Sequence, residues 1–352
     1  MNADLDPPTA PDAPAPGLDT SRVSDWLAQA TELTPPLSYT RIGNGQSNLT
    51  YRVQDTAGRR AVLRRPPLGA VLESAHDMAR EHRILSGLSR LGAPVPATLA
   101  LCEDMEVTGA PFYVMELVDG PILYTDSDAL ALPEGARRTA GLDMGRTLAG
   151  LQTIDLVAAG LEDLKRKTPY VARQLRRWRG QWEASRTRDL PAVEDLADRL
   201  SAAMPAEDEQ VLVHGDYRLD NLVVHDDGTV AAILDWELCS AGHPLADLGL
   251  AIAYWRMAGR DDVLFTHAVT ALPGFPAPEE IIRAYAESSG RDVAVVPYVV
   301  AFAYWKVAFI AEGVHRRWLS NPANGAESAA RVGDTVPLLI ANAEEAAGVA
   351  GI

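Results

Sequence analysis

Three oxygen-bearing side chains in the second half of the chain have the types and spacing to do chemistry. Asp216 follows His214-Gly215, Asn221 comes five residues later, and Asp235 follows a further apolar segment. Carboxylate and amide oxygens suit Mg²⁺, which binds through few protein groups together with phosphate oxygens. Asp and Asn are also common in plain loops, because they bond their own backbone. The His-Gly pair ahead and the second carboxylate behind favour a functional site.

A strand, a polar loop and a β-hairpin are expected to position these side chains. The apolar segment 211–213 predicts a strand that runs into the loop containing Asp216. Segments 221–225 and 230–234 predict the two strands of a hairpin, with Asp227-Gly228 as its turn signal.

The hairpin predicts where two of the oxygen ligands lie. If its loop has two residues, Asp226 lies opposite Thr229. The same register places Asn221 opposite Leu234, one residue from Asp235. We therefore expect an amide oxygen and a carboxylate side by side at the open end of the hairpin.

A glycine-bearing turn near the start of the chain is a second candidate. Residues 43–48, Gly-Asn-Gly-Gln-Ser-Asn, lie between predicted strands 39–42 and 49–54. Such a turn can lay backbone N–H groups over phosphates. An ordinary hairpin turn fits the same residues equally well.

A basic and an acidic residue follow this turn. Arg64 lies on a third predicted strand, 60–65, and Glu81 on a predicted helix, 74–91. The two could pair and hold a phosphate-binding cation in place. The alternative is that each is a separate solvated charge, the commoner fate of these residue types.

The pattern predicts an α+β chain of two lobes. Five prolines and few apolar residues in 1–19 predict a disordered tail. Strands dominate 20–118, including 99–102 and 112–118, and we place the lobe boundary at residue 119. The second lobe, 119–352, is expected to be mostly helical, with helices over 136–153, 170–185, 189–203, 247–258, 278–289, 298–319 and 333–346.

Size and charge exclude several classes of protein. The chain has 352 residues and a formal net charge of −16, which argues against a nucleic-acid or anionic-membrane partner. The apolar stretch 299–311 is too short to span a bilayer, and no secretory signal is visible. Cys102 and Cys239 lack metal spacing and are expected to be reduced and buried. We expect a cytoplasmic protein.

The motif residues match a known family. His214-Gly215-Asp216 with Asn221, followed by the segment 233–237 (Ile-Leu-Asp-Trp-Glu), resembles the catalytic and metal loops of the aminoglycoside phosphotransferase and choline kinase family, which is protein-kinase-like. Within that family, segments 45–51, 62–67 and 76–81 resemble the phosphotransferase-like domain fused to certain acyl-CoA dehydrogenases. The resemblance covers about residues 38–345 and implies a two-lobed protein-kinase-like fold.

The resemblance also implies roles for individual residues. Asp216 is similar to the catalytic aspartate that accepts the hydroxyl proton, and Asn221 and Asp235 resemble the two Mg²⁺ ligands. The remaining positions match the ATP site, namely Gly43, Gly45, Ser47 and Asn48 over the phosphates, Arg64 and Glu81 beside them, and Glu116 and Val118 at adenine through main-chain groups.

Two positions depart from the family pattern. Arg64 replaces the usual strand lysine; it can hold phosphates bidentately, but its longer planar head changes the geometry. His243 stands where an acidic residue would be expected before Pro244.

The function implied is ATP-dependent transfer of the γ-phosphoryl group to a hydroxyl of a small molecule, with ATP and Mg²⁺ as cofactors. A metabolic hydroxyl compound such as a hydroxyacyl-CoA is favoured slightly over an aminoglycoside. One alternative is a non-catalytic, pseudokinase-like nucleotide-binding module, for which Arg64 is the only indication. Another is a metal hydrolase built on His214, Asp216, His243 and Asp247, although these histidines lack the close spacing of a zinc helix.

Overall fold

The computed structural model describes residues 15–43, 48–68, 77–255, 269–320 and 327–352. Among these residues, no helix combines the length and the apolar character needed to cross a membrane. The chain divides into two compact units. The first contains residues up to Asp119 together with 158–161 and 231–237, and the second contains the rest. Asp235, expected in the second lobe, therefore groups with the first unit.

The first unit is built on a five-stranded antiparallel sheet. Its strands are β1 (Leu37–Ile42), β2 (Leu49–Asp55), β3 (Arg60–Arg65), β4 (Thr98–Cys102) and β5 (Phe112–Glu116), in the order β1-β2-β3-β5-β4. Arg64 of β3 lies opposite Thr50 of β2 and Tyr113 of β5. The predicted strand residue Arg64 therefore lies on an interior strand of the sheet.

One face of this sheet packs against the first helix, α1 (Thr20–Ala30). Val23 and Leu27 of α1 join the buried residues Tyr51, Leu63 and Phe112 in one apolar cluster.

The chain just before α1 contributes to the same cluster. Ala15 and Leu18 pack against it, and the Tyr51 hydroxyl donates a 2.5 Å hydrogen bond to the carbonyl of Pro16. The prediction of a disordered tail is therefore corrected for residues 15–19, and its residues 1–14 lie outside the described part.

Helix α2 (Met78–Arg90) packs against β4 and β5. Asp77 caps it by accepting a hydrogen bond from the Arg80 N–H, which satisfies one of the donors left open in a first helical turn. The predicted start at residue 74 lies outside the described residues. A one-turn helix, α3 (Met105–Thr108), was not predicted.

The second unit is mainly helical. Its helices are α4 (Asp126–Ala131), α5 (Glu134–Leu151), α6 (Tyr170–Ser185), α7 (Pro191–Ala202), α8 (Ala246–Tyr254), α9 (Pro278–Ser289), α10 (Val296–Ser320) and α11 (Glu327–Ala350). Helices α6 and α9 have the predicted bounds, and the other predicted second-lobe helices are present with shifted ends. The predicted end of helix 247–258 lies outside the described residues, α11 is much longer than expected, and α4 was missed. Helix α10 packs against α6, α8 and α11. A Cβ at Gly249 of α8 would lie 2.7 Å from the Val299 carbonyl oxygen, so only glycine permits this approach of α8 to α10.

Four short strands accompany these helices. They are β6 (Val211–Val213), β7 (Leu222–Val224), β8 (Val230–Ile233) and β9 (Ser240–Gly242). Strand β6 pairs antiparallel with β9, a partner that the sequence analysis did not predict. The boundary between the two units falls after Val230, within β8.

The turn of the predicted hairpin differs from expectation. The His225 N–H donates to the Thr229 carbonyl at 2.8 Å, so three residues rather than two form the loop. Gly228 has a φ of 87° and supplies the left-handed position that such a loop requires. The predicted opposition of Asp226 and Thr229 is therefore wrong, and the predicted register shifts by one residue.

Candidate functional site

A buried carboxylate binds the backbone of the loop that carries Asp216. Asp247, in the first turn of α8, accepts hydrogen bonds from the backbone N–H groups of His214 (2.6 Å) and Gly215 (2.9 Å). Asp247 is 1% exposed. Burial is the main influence on this carboxyl group and raises its pKa. The two N–H bonds fix the backbone immediately before Asp216.

Gly215 lets the loop turn tightly. Its φ is 90°, and a Cβ at this position would lie 2.7 Å from the Leu238 carbonyl oxygen. The Gly215 carbonyl accepts a 3.0 Å hydrogen bond from Nζ of Lys306, which reaches the loop from α10. Both backbone polar groups of Gly215 are thus bonded to charged side chains.

Asp216 itself is oriented by its neighbours. Its N–H donates to Nδ1 of the buried His214 at 3.2 Å. The Asn221 amide donates from Nδ2 to the Asp216 carbonyl at 2.8 Å and to Asp216 Oδ2 at 3.0 Å. Because Nδ2 points at Asp216, the Asn221 Oδ1 points the other way and is the atom that could bind a cation.

An arginine lies between two carboxylates of the same loop. Arg218 Nε is 3.2 Å from Asp216 Oδ2, and Nη1 is 2.9 Å from Asp220 Oδ2. The guanidinium carbon also lies 5.1 Å from the centroid of the Tyr254 ring, within the range of a cation–π contact. Burial raises the pKa of Asp220, although Arg218 opposes that change.

Lys306 places a positive charge in the interior of the second unit. It is 7% exposed, and its Nζ lies 5.9 Å from the centroid of the Trp178 ring. Burial lowers the pKa of Lys306, and the carboxylates of Asp216 and Asp247 oppose the shift. Arg218 and Lys306 therefore lie among the carboxylates of Asp216, Asp220 and Asp247, so basic and acidic side chains largely balance around Asp216.

A second polar cluster lies in the first unit, around Arg64. Arg64 Nε is 3.0 Å from Glu81 Oε2, and Nη2 is 2.5 Å from Asp235 Oδ1 and 3.6 Å from Glu237 Oε2. The Arg64 side chain is 11% exposed and that of Glu81 is 2% exposed. Arg64 and Glu81 are thus a buried ion pair rather than separate solvated charges.

Neutral donors complete this Arg64 cluster. The Tyr113 hydroxyl donates to Glu81 Oε2 at 3.0 Å, and the Asn48 amide donates to Glu237 Oε2 at 3.0 Å. Asp235 has a φ of 65°, which is uncommon for a residue other than glycine and which clusters at functional sites. The sharp backbone turn at Asp235 brings its carboxylate and that of Glu237 to the same guanidinium.

The remaining residues predicted to bind the nucleotide are described only in part. Gly43 follows β1 with a φ of 77°, while Gly45 and Ser47 lie outside the described residues. Glu116 ends β5, and its N–H donates to the Ala97 carbonyl at 2.8 Å, so its carbonyl is the main-chain group that could serve a ligand. Val118 follows β5 and is partly buried.

The two clusters belong to different units. Asp216 and Asn221 lie in the second unit, and Asp235 lies in the first. The predicted adjacency of Asn221 and Asp235 therefore stays a prediction.

Several charged residues of these clusters were not predicted as site residues. Glu237 and Arg218 stand next to predicted residues, and their charge was a usable signal. Asp247 was considered only as a metal ligand, and Lys306 was not singled out, because contacts between residues distant in the chain leave no local pattern.

The histidines of the metal-hydrolase alternative have other partners. His243 Nδ1 accepts a 3.1 Å hydrogen bond from the Leu245 N–H, and His214 Nδ1 accepts the Asp216 N–H. Asp247 is committed to two backbone donors. Within the described ranges, no group of three or more His, Cys, Asp or Glu residues is arranged to hold a metal ion. These contacts favour a loop-supporting role for all three side chains.

Comparison with protein-family models identifies a family. Residues 38–281 match the model of the phosphotransferase enzyme family, APH. Among curated proteins, the chain is 36% identical over 300 residues to acyl-CoA dehydrogenase family member 10 of Mus musculus. That match covers 84% of this chain but 28% of the mouse protein, so the chain spans less than a third of that relative's length.

Solved structures show the same fold. A candidate aminoglycoside phosphotransferase from Ralstonia eutropha JMP134 superposes with a TM-score of 0.76 and 32% identity, over 94% of this chain and 98% of the other. An aminoglycoside phosphotransferase mutant in ternary complex with ADP and hygromycin B has a TM-score of 0.60 at 15% identity, over 91% of this chain and 98% of the other. At that identity, the second likeness concerns the fold alone.

Proposed function

This chain belongs to the phosphotransferase enzyme family, and we propose that it transfers the γ-phosphoryl group of ATP to a hydroxyl of a small molecule. The observation that carries the proposal is the arrangement of Asp216. Its carboxylate is held by Asn221 and Arg218 on a backbone that Asp247 fixes, and the Asp216 side chain is still 27% exposed. A rigid carboxylate of this kind is what a positioned proton acceptor requires.

The side chains present fit Mg²⁺ and a nucleotide. Asn221 presents Oδ1, and Asp235 has two carboxylate oxygens, of which Arg64 contacts one. Hard oxygen donors of this kind suit Mg²⁺, which would neutralise charge on the phosphates when bound. Arg64 makes its hydrogen bonds and ion pairs with the described residues through Nε and Nη2, so Nη1 could meet a phosphate oxygen, while the Glu116 carbonyl and Val118 would meet adenine.

The reaction moves one proton and one phosphoryl group. The acceptor hydroxyl oxygen forms a bond to the γ-phosphorus, the bond from that phosphorus to the β,γ-bridging oxygen breaks, and ADP leaves. The Asp216 carboxylate takes the hydroxyl proton. Such transfers depend on positioning and charge neutralisation more than on covalent chemistry. The hydrogen bonds that fix Asp216 supply the positioning.

An anionic metabolic acceptor is favoured over a polycationic aminoglycoside. Arg218 and Lys306 lie near Asp216, but Asp216 and Asp220 already balance the charge of Arg218, so these side chains decide little between the two acceptor classes. Arg179 of α6 adds little positive charge, because it is paired with Glu194 and Asp198. A hydroxyacyl-CoA combines a hydroxyl with anionic phosphates, and the likeness to an acyl-CoA dehydrogenase relative is what favours it.

The test is a panel of acceptors assayed for ADP release with Mg·ATP. The panel contains short and long hydroxyacyl-CoAs, the matching acyl-CoAs without the hydroxyl, and two aminoglycosides. We expect turnover with hydroxyacyl-CoAs only. Turnover with aminoglycosides alone would overturn the acceptor class. Tight Mg·ATP binding with no turnover for any acceptor would instead favour a non-catalytic nucleotide-binding module.

A further inference from the structure

Arg218, which is paired with Asp220, contacts the proton acceptor Asp216 but takes no part in the bond changes of the phosphoryl transfer. Arg218 contacts Asp216 through Nε and Asp220 through Nη1, with its guanidinium over the Tyr254 ring. We propose that Arg218 is a positioning residue: together with Asn221 it holds Oδ2 of Asp216, so that Oδ1 is the oxygen that takes the hydroxyl proton. This inference rests on the proposed function.

The two oxygens of Asp216 have different surroundings. Oδ2 lies 3.0 Å from Asn221 Nδ2 and 3.2 Å from Arg218 Nε. No N–H or O–H of the described residues donates to Oδ1. An oxygen whose lone pairs already accept two hydrogen bonds is a poorer proton acceptor than its open partner. The asymmetry therefore selects Oδ1 and fixes the direction in which the carboxylate faces.

An arginine suits this task better than a lysine. Its planar guanidinium contacts two carboxylates through two different nitrogens. Asp220, whose side chain is 15% exposed, binds Nη1, while Nε contacts Asp216. A lysine ammonium is a point charge on a flexible stem and would not fix the plane of the Asp216 carboxylate. The role is therefore geometric as well as electrostatic, and Asp220 acts only through Arg218.

Substitutions separate geometry from charge. Arg218→Gln should lower kcat about 10- to 100-fold, the range for losing a hydrogen bond to a charged group, with KM for ATP unchanged. Arg218→Lys should recover only part of that loss. Asp220→Asn should cost a few-fold. The matched control is Arg179→Gln, because Arg179 also bridges two carboxylates, Glu194 and Asp198, but on α6 and α7.

Kinetics with Mg·ATP and the fastest acceptor of the panel test the inference first. Guanidinium chloride at millimolar concentration should rescue Arg218→Ala and leave Arg179→Ala unchanged. An Arg218→Gln enzyme with wild-type kcat would overturn the proposal, as would a loss confined to KM for ATP. A wild-type enzyme that transfers nothing would instead count against the proposed function.

Crystal structures decide the orientation independently of activity. With Mg·AMP-PNP bound, wild type should show Asp216 in one rotamer, with Oδ2 on Arg218 and Asn221. In Arg218→Gln crystals Asp216 should occupy two or more rotamers. An unchanged single rotamer in the variant would overturn the positioning role, whether or not the enzyme turns over.

Discussion

Replacing Arg64 by methionine should destabilise the first unit, because it leaves buried carboxylates without their cation. Glu81 is 2% exposed and lies 3.0 Å from Arg64 Nε, while Asp235 is 30% exposed and therefore partly screened by water. Breaking a buried ion pair by removing one partner costs about 3–5 kcal/mol. Since Glu81 is the only fully buried partner of Arg64 among the described residues, we expect a loss of about 3 kcal/mol in the free energy of unfolding.

The matched control is Arg60→Met on the same strand. Arg60 pairs with Asp119 at 2.8 Å, but the two side chains are 40% and 73% exposed. An exposed pair of this kind contributes about 0–1 kcal/mol. Arg64→Lys should fall between the two variants, because lysine keeps the charge and loses the fork that reaches both Glu81 and Asp235.

Hydrogen exchange followed by mass spectrometry is the appropriate assay. Two compact units need not unfold together, so a single melting temperature would mix their stabilities. Peptides that cover β3 and β5 report the opening free energy of the first unit. If Arg64→Met lowered protection no more than Arg60→Met does, the buried-pair reasoning would be wrong.

Three further predictions follow from single contacts. Asn221→Ala should raise the Mg²⁺ concentration for half-maximal ADP release, since it removes a proposed ligand. It should also lower kcat, since it removes a hydrogen-bond donor to Asp216. An unchanged Mg²⁺ dependence in a titration would contradict this prediction. Burial lowers the pKa of His243 from 6.5, so below that pH the unfolded chain binds more protons than the folded chain. The free energy of unfolding should therefore fall as the pH drops below about 6.5, by up to about 1.4 kcal/mol per pH unit. His243→Asn, which keeps an acceptor for the Leu245 N–H, should remove that slope in urea unfolding at pH 5 to 7. Lys306→Met should lower kcat at least tenfold with Mg·ATP affinity unchanged by calorimetry, because the loop loses its anchor at Gly215; wild-type kcat would show that the anchor is dispensable.

Local patterns were sufficient for the elements that carry the site. Alternating and helical apolar spacing predicted β3, β6 and α6 with the bounds observed. For Arg64 and Glu81 the sequence left an ion pair and separate solvated charges open, and the structure contains the pair. These features depend on residues near in sequence or on strong charge complementarity.

Features set by tertiary contacts were not predictable in the same way. The hairpin register shifted because Gly228 accommodates a three-residue loop, which a dipeptide signal cannot distinguish from a two-residue one. Strand β9 has three residues with no period, and it exists because β6 offers a partner. In the sequence, Lys306 only interrupts an apolar segment, and its contact with the Gly215 carbonyl depends on the packing of α10 against that loop.

Phosphorus NMR of the reaction products tests the central claim most directly. Wild type incubated with Mg·ATP and the best hydroxyl acceptor should produce ADP and one new phosphomonoester resonance, coupled to the carbon-bound proton of the acceptor. Asp216→Asn should form that ester about 10²- to 10⁴-fold more slowly, the contribution of a positioned general base, while binding Mg·ATP as tightly as wild type. An Asp216→Asn enzyme that makes the ester at the wild-type rate would contradict the account.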